Sequence, residues 1–165
     1  GGSMNMNINS LSQKYSVRKL DENDVDIIYD MSCKNDIFYQ YHPPFVTRES
    51  ILDDMGALPP GKGYDDKFYV GFFENDSLVG LMDLILDYPE KEISFIGLFM
   101  TDTRYQNRGV GSGIISDVIL CLKSSGYKEI RLGVDKGNPQ SYSFWTKNKF
   151  TPIREDTYIL MGLRI

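Results

Sequence analysis

The sequence is poor in the residues that build metal centres and disulfide frameworks. Its 165 residues include two cysteines, Cys33 and Cys121, and a single histidine, His42. The cysteines lie far apart in the chain without metal-ligand spacing, which argues against both a zinc site and a disulfide framework. We interpret each as a small buried hydrophobe in a reducing compartment and expect no bound metal.

Long apolar runs and an excess of positive charge are also missing. The longest apolar runs, residues 95–100 and 118–122, are far shorter than the ~20 residues that a membrane span needs. No apolar segment near the N-terminus resembles a signal peptide. With 18 Lys and Arg against 23 Asp and Glu, the net charge is -5, which argues against nucleic-acid and polybasic membrane-surface binding. We therefore expect a cytoplasmic protein with no nucleic-acid or membrane partner, and small molecules and cationic substrates stay open.

The composition that is present suits one globular domain. Hydrophobic residues make up 41 %, aromatic residues 13 % and charged residues 25 % of the chain, which is ordinary for a folded protein of this length. Residues 1–3, Gly-Gly-Ser before Met4, resemble a cloning remnant. Because the pattern shows no repeat, low-complexity segment or boundary, we expect residues 4–165 to form a single domain.

The hydrophobic periodicity predicts an α/β protein whose mixed sheet is flanked by helices. The predicted strands cover residues 15–20, 67–74, 78–86, 93–100 and 129–135, with one or two more in 151–165. The predicted helices lie in residues 21–31, 47–55, 110–122 and 138–149. An aromatic stretch, residues 37–45, is predicted as a loop that the Pro43-Pro44 pair closes. The three consecutive strands between residues 67 and 100 predict an antiparallel meander.

A glycine-rich stretch begins the most regular amphipathic helix. Gly109, Gly111 and Gly113 let backbone N–H groups converge and let a bulky anion approach, and a helix N-terminus adds partial positive charge. We therefore expect phosphate or pyrophosphate here. The stretch lacks the Gly-Lys-Ser/Thr of a P-loop and the spacing of a dinucleotide fingerprint. The alternative, glycines that only permit tight helix–sheet packing, leaves the preceding Gln106 and Arg108 unexplained.

Gln106, Gly109 and Gly111, placed after an apolar strand and before a long helix, resemble the acyl-CoA-binding motif of the GNAT N-acyltransferases. The chain also resembles a second motif of this family, at Asn138, Ser141, Phe144, Trp145, Lys147 and Phe150. The strand and helix order is similar from about Tyr15 to the end of the chain. The resemblance implies a GNAT-like, mostly antiparallel sheet with a splayed central strand pair, and acetyl-CoA as co-substrate without a metal.

The resemblance also implies roles for individual residues. Backbone amides of residues 106–112 would hold the CoA pyrophosphate, and residues 99–101 would pair with the pantetheine arm. An amide near Met100 or Thr101 would stabilise the oxyanion, which is usually the strongest single contribution to catalysis of acyl transfer. The implied cofactor-binding residues are Phe99, Met100, Thr101, Gln106, Asn107, Arg108, Gly109, Val110, Gly111, Ser112, Asn138, Ser141, Phe144, Trp145 and Lys147.

The sequence departs from the family pattern at the general acid and the general base. Trp145 stands where the family usually has a tyrosine acid, and an indole N–H only donates. Tyr142 lies on the same helix face and is predicted as the acid, with packing on the sheet as the alternative. The strand before the loop has no carboxylate in its interior. Glu92 at its start is predicted as the base, with Asp83 and Asp87 as alternatives. The non-catalytic interpretation of these three residues is that they are solvated strand ends.

Three residues are predicted to contact the acceptor. Tyr39 and His42 belong to the aromatic stretch that the resemblance places at the acceptor wall, and Asp83 could attract a cationic amine. A lid packed on the core and a dimer contact are the alternatives for this stretch, and His42 could be structural or exposed.

Together these features predict an N-acetyltransferase that uses acetyl-CoA and a small-molecule or peptide amine. Neither cysteine has a plausible histidine partner, so we expect direct attack by the amine in a ternary complex, without a covalent enzyme intermediate. A catalytically weak acyl-CoA-binding or sensing module is the main alternative, and a nucleotide-binding protein with other chemistry is a third. The protein is expected to be a monomer or a homodimer.

Overall fold

The computed structural model describes residues 6–165, and the predicted cloning remnant at residues 1–3 lies outside them. One seven-stranded sheet has the order β1-β2-β3-β4-β5-β7-β6. Its strands are β1 (Ser16–Lys19), β2 (Lys67–Glu74), β3 (Ser77–Ile85), β4 (Ile93–Thr101), β5 (Glu129–Asp135), β6 (Thr151–Glu155) and β7 (Tyr158–Arg164). The α-helices are α1 (Val25–Ser32), α2 (Asp36–Tyr41), α3 (Arg48–Gly56), α4 (Val110–Ser124) and α5 (Pro139–Lys147).

The sheet is antiparallel except at its centre, where β4 and β5 run parallel. Their ladder extends from Ile93 opposite Glu129 to Ile96 opposite Leu132. Beyond Ile96, β4 continues along β3, while β5 continues along β7. The two central strands therefore splay apart, and the predicted fold class, a mixed and mostly antiparallel sheet with helices on its faces, is confirmed.

Two hydrophobic clusters cover the two faces of the sheet. The larger cluster includes Met82 from β3, Val118 from α4 and Trp145 from α5. The smaller cluster includes Ile28 from α1 and Ile51 from α3, which pack on the opposite face. Because each buried aliphatic side chain contributes about 1.5–3 kcal/mol, both clusters hold helices firmly to the sheet.

Local signals explain where the longer helices begin and end. Thr47 and Ser50 form a reciprocal capping box at the start of α3, with Ser50 N donating to Thr47 Oγ1 at 3.0 Å. Gly109, in the left-handed conformation at φ 77°, precedes α4. Gly126, at φ 95°, follows its last turn. These positions agree with the helix limits that the sequence predicts.

The stretch predicted as an aromatic loop contains the short helix α2, so that prediction was wrong in part. Its six residues are all exposed or half-buried. The segment is held by ring contacts, with Tyr39 and Phe45 centroids 5.2 Å apart and Phe38 and His42 centroids 5.3 Å apart. A helix of this length without a buried stripe leaves no readable period in the sequence.

The helices are short and carry polar faces. Across residues 6–165, no helix combines the length and the apolar character that a membrane span requires.

Candidate active site

A cavity of about 480 Å³ opens where β4 and β5 splay, between the N-terminus of α4 and one face of α5. It collects the predicted cofactor-binding residues with the exception of Arg108 and Val110. Those at the cavity wall are Phe99, Met100, Thr101, Gln106, Asn107, Gly109, Gly111, Ser112, Asn138, Ser141, Phe144, Trp145 and Lys147. Residues from two distant parts of the sequence therefore share one concave surface.

The loop before α4 presents backbone amides to this cavity. Asn107 and Gly109 both adopt positive φ, at 63° and 77°. Among the residues that the structure describes, no side chain caps α4. The first N–H groups of an α-helix have no acceptor within the helix, and Gly111 and Ser112 at the start of α4 line the cavity. This arrangement suits an anionic group such as a diphosphate.

Of the two glycines in the first turn of α4, Gly111 has no room for a side chain and Gly113 has. A Cβ at residue 111 would lie 3.1 Å from Phe144 Cε1 and 3.7 Å from Phe99 Cε2. The Phe99 and Phe144 rings stack with centroids 6.0 Å apart, so they form a wall against the bare backbone. Within the described chain, a Cβ at Gly113 would meet nothing inside 4 Å. Packing against the cavity wall therefore requires glycine at residue 111 and not at residue 113.

Asp102 holds the turn that leads from β4 into the loop. Its Oδ1 accepts hydrogen bonds from Arg104 N at 2.9 Å and Arg104 Nε at 3.1 Å, and Lys34 Nζ lies 3.8 Å from Oδ2. Burial alone would raise the pKa of Asp102, but the hydrogen bonds and positive charges outweigh it and leave the pKa lowered. This ionised carboxylate fixes the loop, and it was not among the residues predicted from the sequence.

The start of α5 is fixed by Asn138, which is buried. Its Oδ1 accepts from Ser141 N at 3.1 Å and so caps the helix that forms the other cavity wall. Asn148 at the end of α5 donates to Ser112 Oγ at 3.2 Å and to the Phe144 carbonyl at 2.8 Å. The two helices beside the cavity are therefore cross-linked by hydrogen bonds.

Trp145 lies at the cavity wall in an aromatic cluster whose rings meet it edge to face. Its ring lies 4.9 Å from Phe144, 5.1 Å from Phe150 and 6.0 Å from Phe99, measured between centroids. In the described chain, Tyr142 packs against the larger core cluster and does not line the cavity. Its role as general acid stays a prediction.

Glu92 lies at the opposite end of β4 from the cavity. It directly precedes Ile93, the first residue of the strand, and its N–H donates to Asp87 Oδ1 at 2.9 Å. Phe99 at the cavity is seven residues further on, about 23 Å at the rise of ~3.3 Å per residue of a strand. The structure does not bring this predicted base together with the cofactor-binding residues.

The three predicted acceptor residues lie beside the cavity rather than on its wall. Tyr39 packs against the smaller cluster, on the α1 and α3 side of the sheet. Burial raises the pKa of its hydroxyl. His42 Nδ1 lies 3.1 Å from Asp135 Oδ1, across the splay. Asp83 is paired with Lys67, with 2.8 Å between Oδ2 and Nζ.

The cavity also has lining residues outside the predicted cofactor-binding set. They are Asn35, Ile37, Phe38, Tyr105, Gln140 and Ser143. The first three come from α2 and its start, far from the glycine-rich loop in the chain. The folding of α2 toward the splay brings them there, and the family resemblance places the aromatic stretch that contains Phe38 at the acceptor wall. Gln140 and Ser143 lie on the helix that the second motif identifies, so helical spacing could have found them.

Potential metal ligands are scattered rather than grouped. Within residues 6–165, no group of three His, Cys, Asp or Glu side chains is placed to hold a metal ion.

Comparison with known proteins gives a family match and many similar folds. The sequence model of the acetyltransferase (GNAT) family matches residues 30–150. No sequence among the curated proteins matches the chain.

The similar structures share the fold at low sequence identity. An acetyltransferase from Thermus thermophilus superposes with a TM-score of 0.79 at 17 % identity, covering 92 % of this chain and 97 % of its own. A PaiA N-acetyltransferase from Thermoplasma acidophilum, in complex with coenzyme A, gives 0.68 at 18 % identity, covering 91 % and 98 %. The ribosomal-protein-S18-alanine N-acetyltransferase from Escherichia coli gives 0.65 at 15 % identity, covering 91 % and 93 %.

Proposed function

The chain belongs to the GNAT acetyltransferase family, and we propose on that basis that it transfers an acetyl group from acetyl-CoA to a primary amine. The acceptor is a small molecule or a peptide, and its nitrogen attacks directly in a ternary complex. The observation that carries the proposal is the cavity at the splay of β4 and β5, which the loop before α4 and the face of α5 enclose.

The residues at this cavity fit acetyl-CoA. The volume of about 480 Å³ lies in the range of roughly 300–1,000 Å³ of small-molecule sites. Amides of residues 106–112 would hold the diphosphate through charge-assisted hydrogen bonds. The bare backbone at Gly111 lets the start of α4 pack against Phe144 in the cavity wall, since a Cβ there would lie 3.1 Å from Phe144 Cε1. The bound thioester would supply the activated acetyl group.

The free edge of β4 supplies hydrogen-bond donors for the reaction. Beyond Ile96 the strand has β3 as its partner but no longer pairs with β5. Backbone N–H groups alternate in direction along a strand, so those on the splay side between residues 97 and 101 would face the ligand. An N–H near Met100 or Thr101 would stabilise the negative charge that develops on the carbonyl oxygen.

The thiol of CoA is a good leaving group, so the reaction depends only modestly on a general acid. A thiol has an ordinary pKa of about 8.5, so its anion leaves readily. Tyr142 on α5 stays the proposed acid, and proton donation there would contribute about 10²–10⁴-fold to the rate.

A catalytically weak acyl-CoA-binding module is the second candidate. The observation that favours it is Trp145, which is buried in the aromatic cluster where the family resemblance expects a tyrosine acid. This candidate predicts tight binding of acetyl-CoA without acetyl transfer.

One experiment separates the two. The protein is incubated with acetyl-CoA and, in turn, phenethylamine, 1,4-diaminobutane and a tripeptide with a free N-terminus, and free thiol and acetylated amine are both quantified. We expect equal amounts of the two products with at least one amine. Acetyl-CoA binding by calorimetry without acetylation of any amine would favour the binding module.

A further inference from the structure

A buried ion pair on the α1 and α3 side of the sheet is not accounted for by acetyl-CoA binding. Lys67 Nζ and Asp83 Oδ2 lie 2.8 Å apart, and the side chains are only 4 % and 15 % exposed. Within residues 6–165, Asp83 Oδ1 is buried without any hydrogen-bond partner. A buried carboxylate oxygen left unpaired costs free energy, which points to a partner that arrives with a ligand.

The carboxylate of Asp83 lies at the apex of the splay. Asp83 pairs with Leu98 of β4, and the register shifts at the next step so that Gly97 is passed over. A Cβ at Gly97 would be 3.3 Å from Asp83 Oδ2. Gly97 is exposed, and it is the first residue of β4 after the pairing with β5 ends at Ile96. The missing side chain at residue 97 therefore leaves room for the carboxylate where the strands part.

This position is within reach of the acetyl-CoA cavity. Met100 lines the cavity and belongs to the smaller core cluster. Tyr69, the partner of Asp83 on β2, belongs to the same cluster. Asp83 and Met100 are diagonal neighbours on adjacent antiparallel strands, since Asp83 is opposite Leu98. Side chains in such a pair have their roots about 7–8 Å apart. A primary amine placed between them would contact the carboxylate and approach the acyl group.

We propose that Asp83 is the residue that receives the acceptor amine, binding its ammonium form and accepting one proton from it, with Lys67 as the positioning residue. This inference rests on the proposed acetyltransferase function and names the group that prepares the nucleophile. It places the proton acceptor on β3, one strand away from the strand that precedes the loop.

Protons and electrons balance in the transfer. One proton moves from the ammonium nitrogen to Asp83, which leaves a neutral amine with a lone pair. That lone pair forms the C–N bond to the acyl carbon while the C–S bond breaks, and sulfur keeps the bonding electrons. Tyr142, the proposed acid, gives its proton to the sulfur and regains one when the second nitrogen proton reaches it, directly or through water. The products are the amide and the free thiol, and Asp83 returns its proton to solvent.

The charged and titratable groups around Asp83 suit this role. Lys67 and Tyr69 approach it from β2, and Asp54 faces it from α3. Burial raises the pKa of Asp83, the Lys67 ammonium opposes that rise, and the Asp54 charge adds to it. Burial likewise raises the pKa of Tyr69, which keeps its hydroxyl neutral. Two carboxylates and one ammonium leave the pocket net negative, which favours a cationic acceptor.

The first test compares the wild type with Asp83→Asn and, as a matched control, Asp76→Asn in the exposed β2–β3 turn. The substrate is the fastest amine of the three-compound panel. We expect kcat/KM of D83N to fall by about 10²–10⁴-fold, while D76N and the Kd for acetyl-CoA stay unchanged. The rate of D83N should then rise tenfold per pH unit toward the amine pKa, because only free neutral amine attacks. Wild-type kcat/KM should reach a plateau at lower pH.

Two further variants separate a chemical role from a structural one. Lys67→Met removes the charge that lowers the Asp83 pKa, so the acid limb of the pH profile should move to higher pH. Gly97→Ala places a methyl group 3.3 Å from Asp83 Oδ2 and should raise KM for the amine with little effect on acetyl-CoA binding. The G97A variant also tests the role of Asp83 if D83N does not fold. Calorimetry of amine binding without acetyl-CoA should show weaker binding to D83N.

The outcomes distinguish this inference from the function on which it rests. If the wild type acetylates an amine and D83N matches it in rate and pH profile, the assignment of Asp83 is wrong and the acetyltransferase function stands. Unchanged amine binding and KM in G97A would overturn the assignment as well. If the wild type binds acetyl-CoA and acetylates none of the amines, both proposals fail.

Discussion

His42, at the C-terminal end of α2, donates through Nδ1 to the carboxylate of Asp135, the last residue of β5, at 3.1 Å. The bond joins the two sides of the splay, because α2 lies at the cavity edge and Asp135 belongs to the strand that diverges from β4. Ile37 and Phe38 of the same helix line the cavity. The contact therefore sets how far α2 stands from β5 at the cavity edge, where we propose that the acceptor enters.

His42→Ala should loosen this entrance without unfolding the protein. The pair is partly exposed, at 59 % and 31 % of the side chains, so its loss should destabilise the fold by less than about 1 kcal/mol. An effect of that size on acceptor binding corresponds to roughly fivefold in KM. Steady-state kinetics with varied amine, beside a thermal melt, measures both. An acceptor KM identical to that of the wild type would show that the bridge does not shape the entrance.

Gly111→Ala and Gly113→Ala form a matched pair that tests whether acetyl-CoA binds at the start of α4. The added methyl group at residue 111 meets the Phe144 ring at 3.1 Å, whereas the one at residue 113 meets nothing within 4 Å among described residues. G111A should weaken acetyl-CoA binding by at least about tenfold, or 1.4 kcal/mol. G113A should bind normally and gain up to about 1 kcal/mol in stability from helix propensity. Calorimetry measures the Kd for acetyl-CoA and denaturation measures the free energy of unfolding. Equal Kd values in the two variants would contradict binding of acetyl-CoA at the start of α4.

Asp102→Asn should destabilise the turn before the glycine loop in a pH-dependent way. The folded-state pKa of Asp102 is lowered, so its contribution is present above the ordinary carboxyl pKa and is lost as pH falls through the lower folded value. At neutral pH we expect a loss of about 1–3 kcal/mol, since the hydrogen bonds from Arg104 lose their charge assistance and an amide NH2 group replaces the oxygen that Lys34 approaches.

The free-energy difference between D102N and the wild type should shrink below about pH 4, where Asp102 begins to protonate in the unfolded wild type while the folded carboxylate stays ionised to lower pH. Urea unfolding at several pH values measures it. A difference that stays constant from neutral to acid pH would contradict the ionised role of Asp102.

The elements that could be predicted from the sequence are those with local signals. The Thr47 and Ser50 capping box, the glycine before α4 and the asparagine before α5 each announce a helix start through hydrogen bonds within one turn. Most of the predicted cofactor-binding residues lie in two short stretches of the sequence, and the structure gathers them at one cavity.

The remaining features depend on contacts between distant residues. The pairing of Lys67 with Asp83 follows from the β2–β3 register, and the closeness of Gly97 to Asp83 follows from the register shift in β4. Neither leaves a local pattern. Helix α2 depends on ring contacts such as Tyr39 with Phe45. Glu92 was predicted as the base because the interior of the strand before the loop has no carboxylate, and it lies at the end of β4 away from the cavity.

Trp145→Phe should reduce stability while the shape of the pH profile is kept. The indole is buried and contacts Phe99, Phe144 and Phe150, and a smaller ring leaves part of that volume empty, at a cost of about 1–3 kcal/mol. An indole does not titrate in the accessible pH range. Thermal unfolding and the pH dependence of kcat measure the two effects. A new or missing limb in the profile would show that Trp145 takes part in proton transfer.

The central claim is acetyl transfer from acetyl-CoA to an amine at the splay of β4 and β5. Its most direct measurement is the paired quantification of acetylated amine by mass spectrometry and free thiol by a colorimetric reagent, for the wild type and for G111A. We predict that the two products appear in equal amounts with the wild type and that G111A is slowed through its acetyl-CoA dependence. Thiol release without acetylated amine, or turnover by G111A at the wild-type rate and KM, would contradict the account.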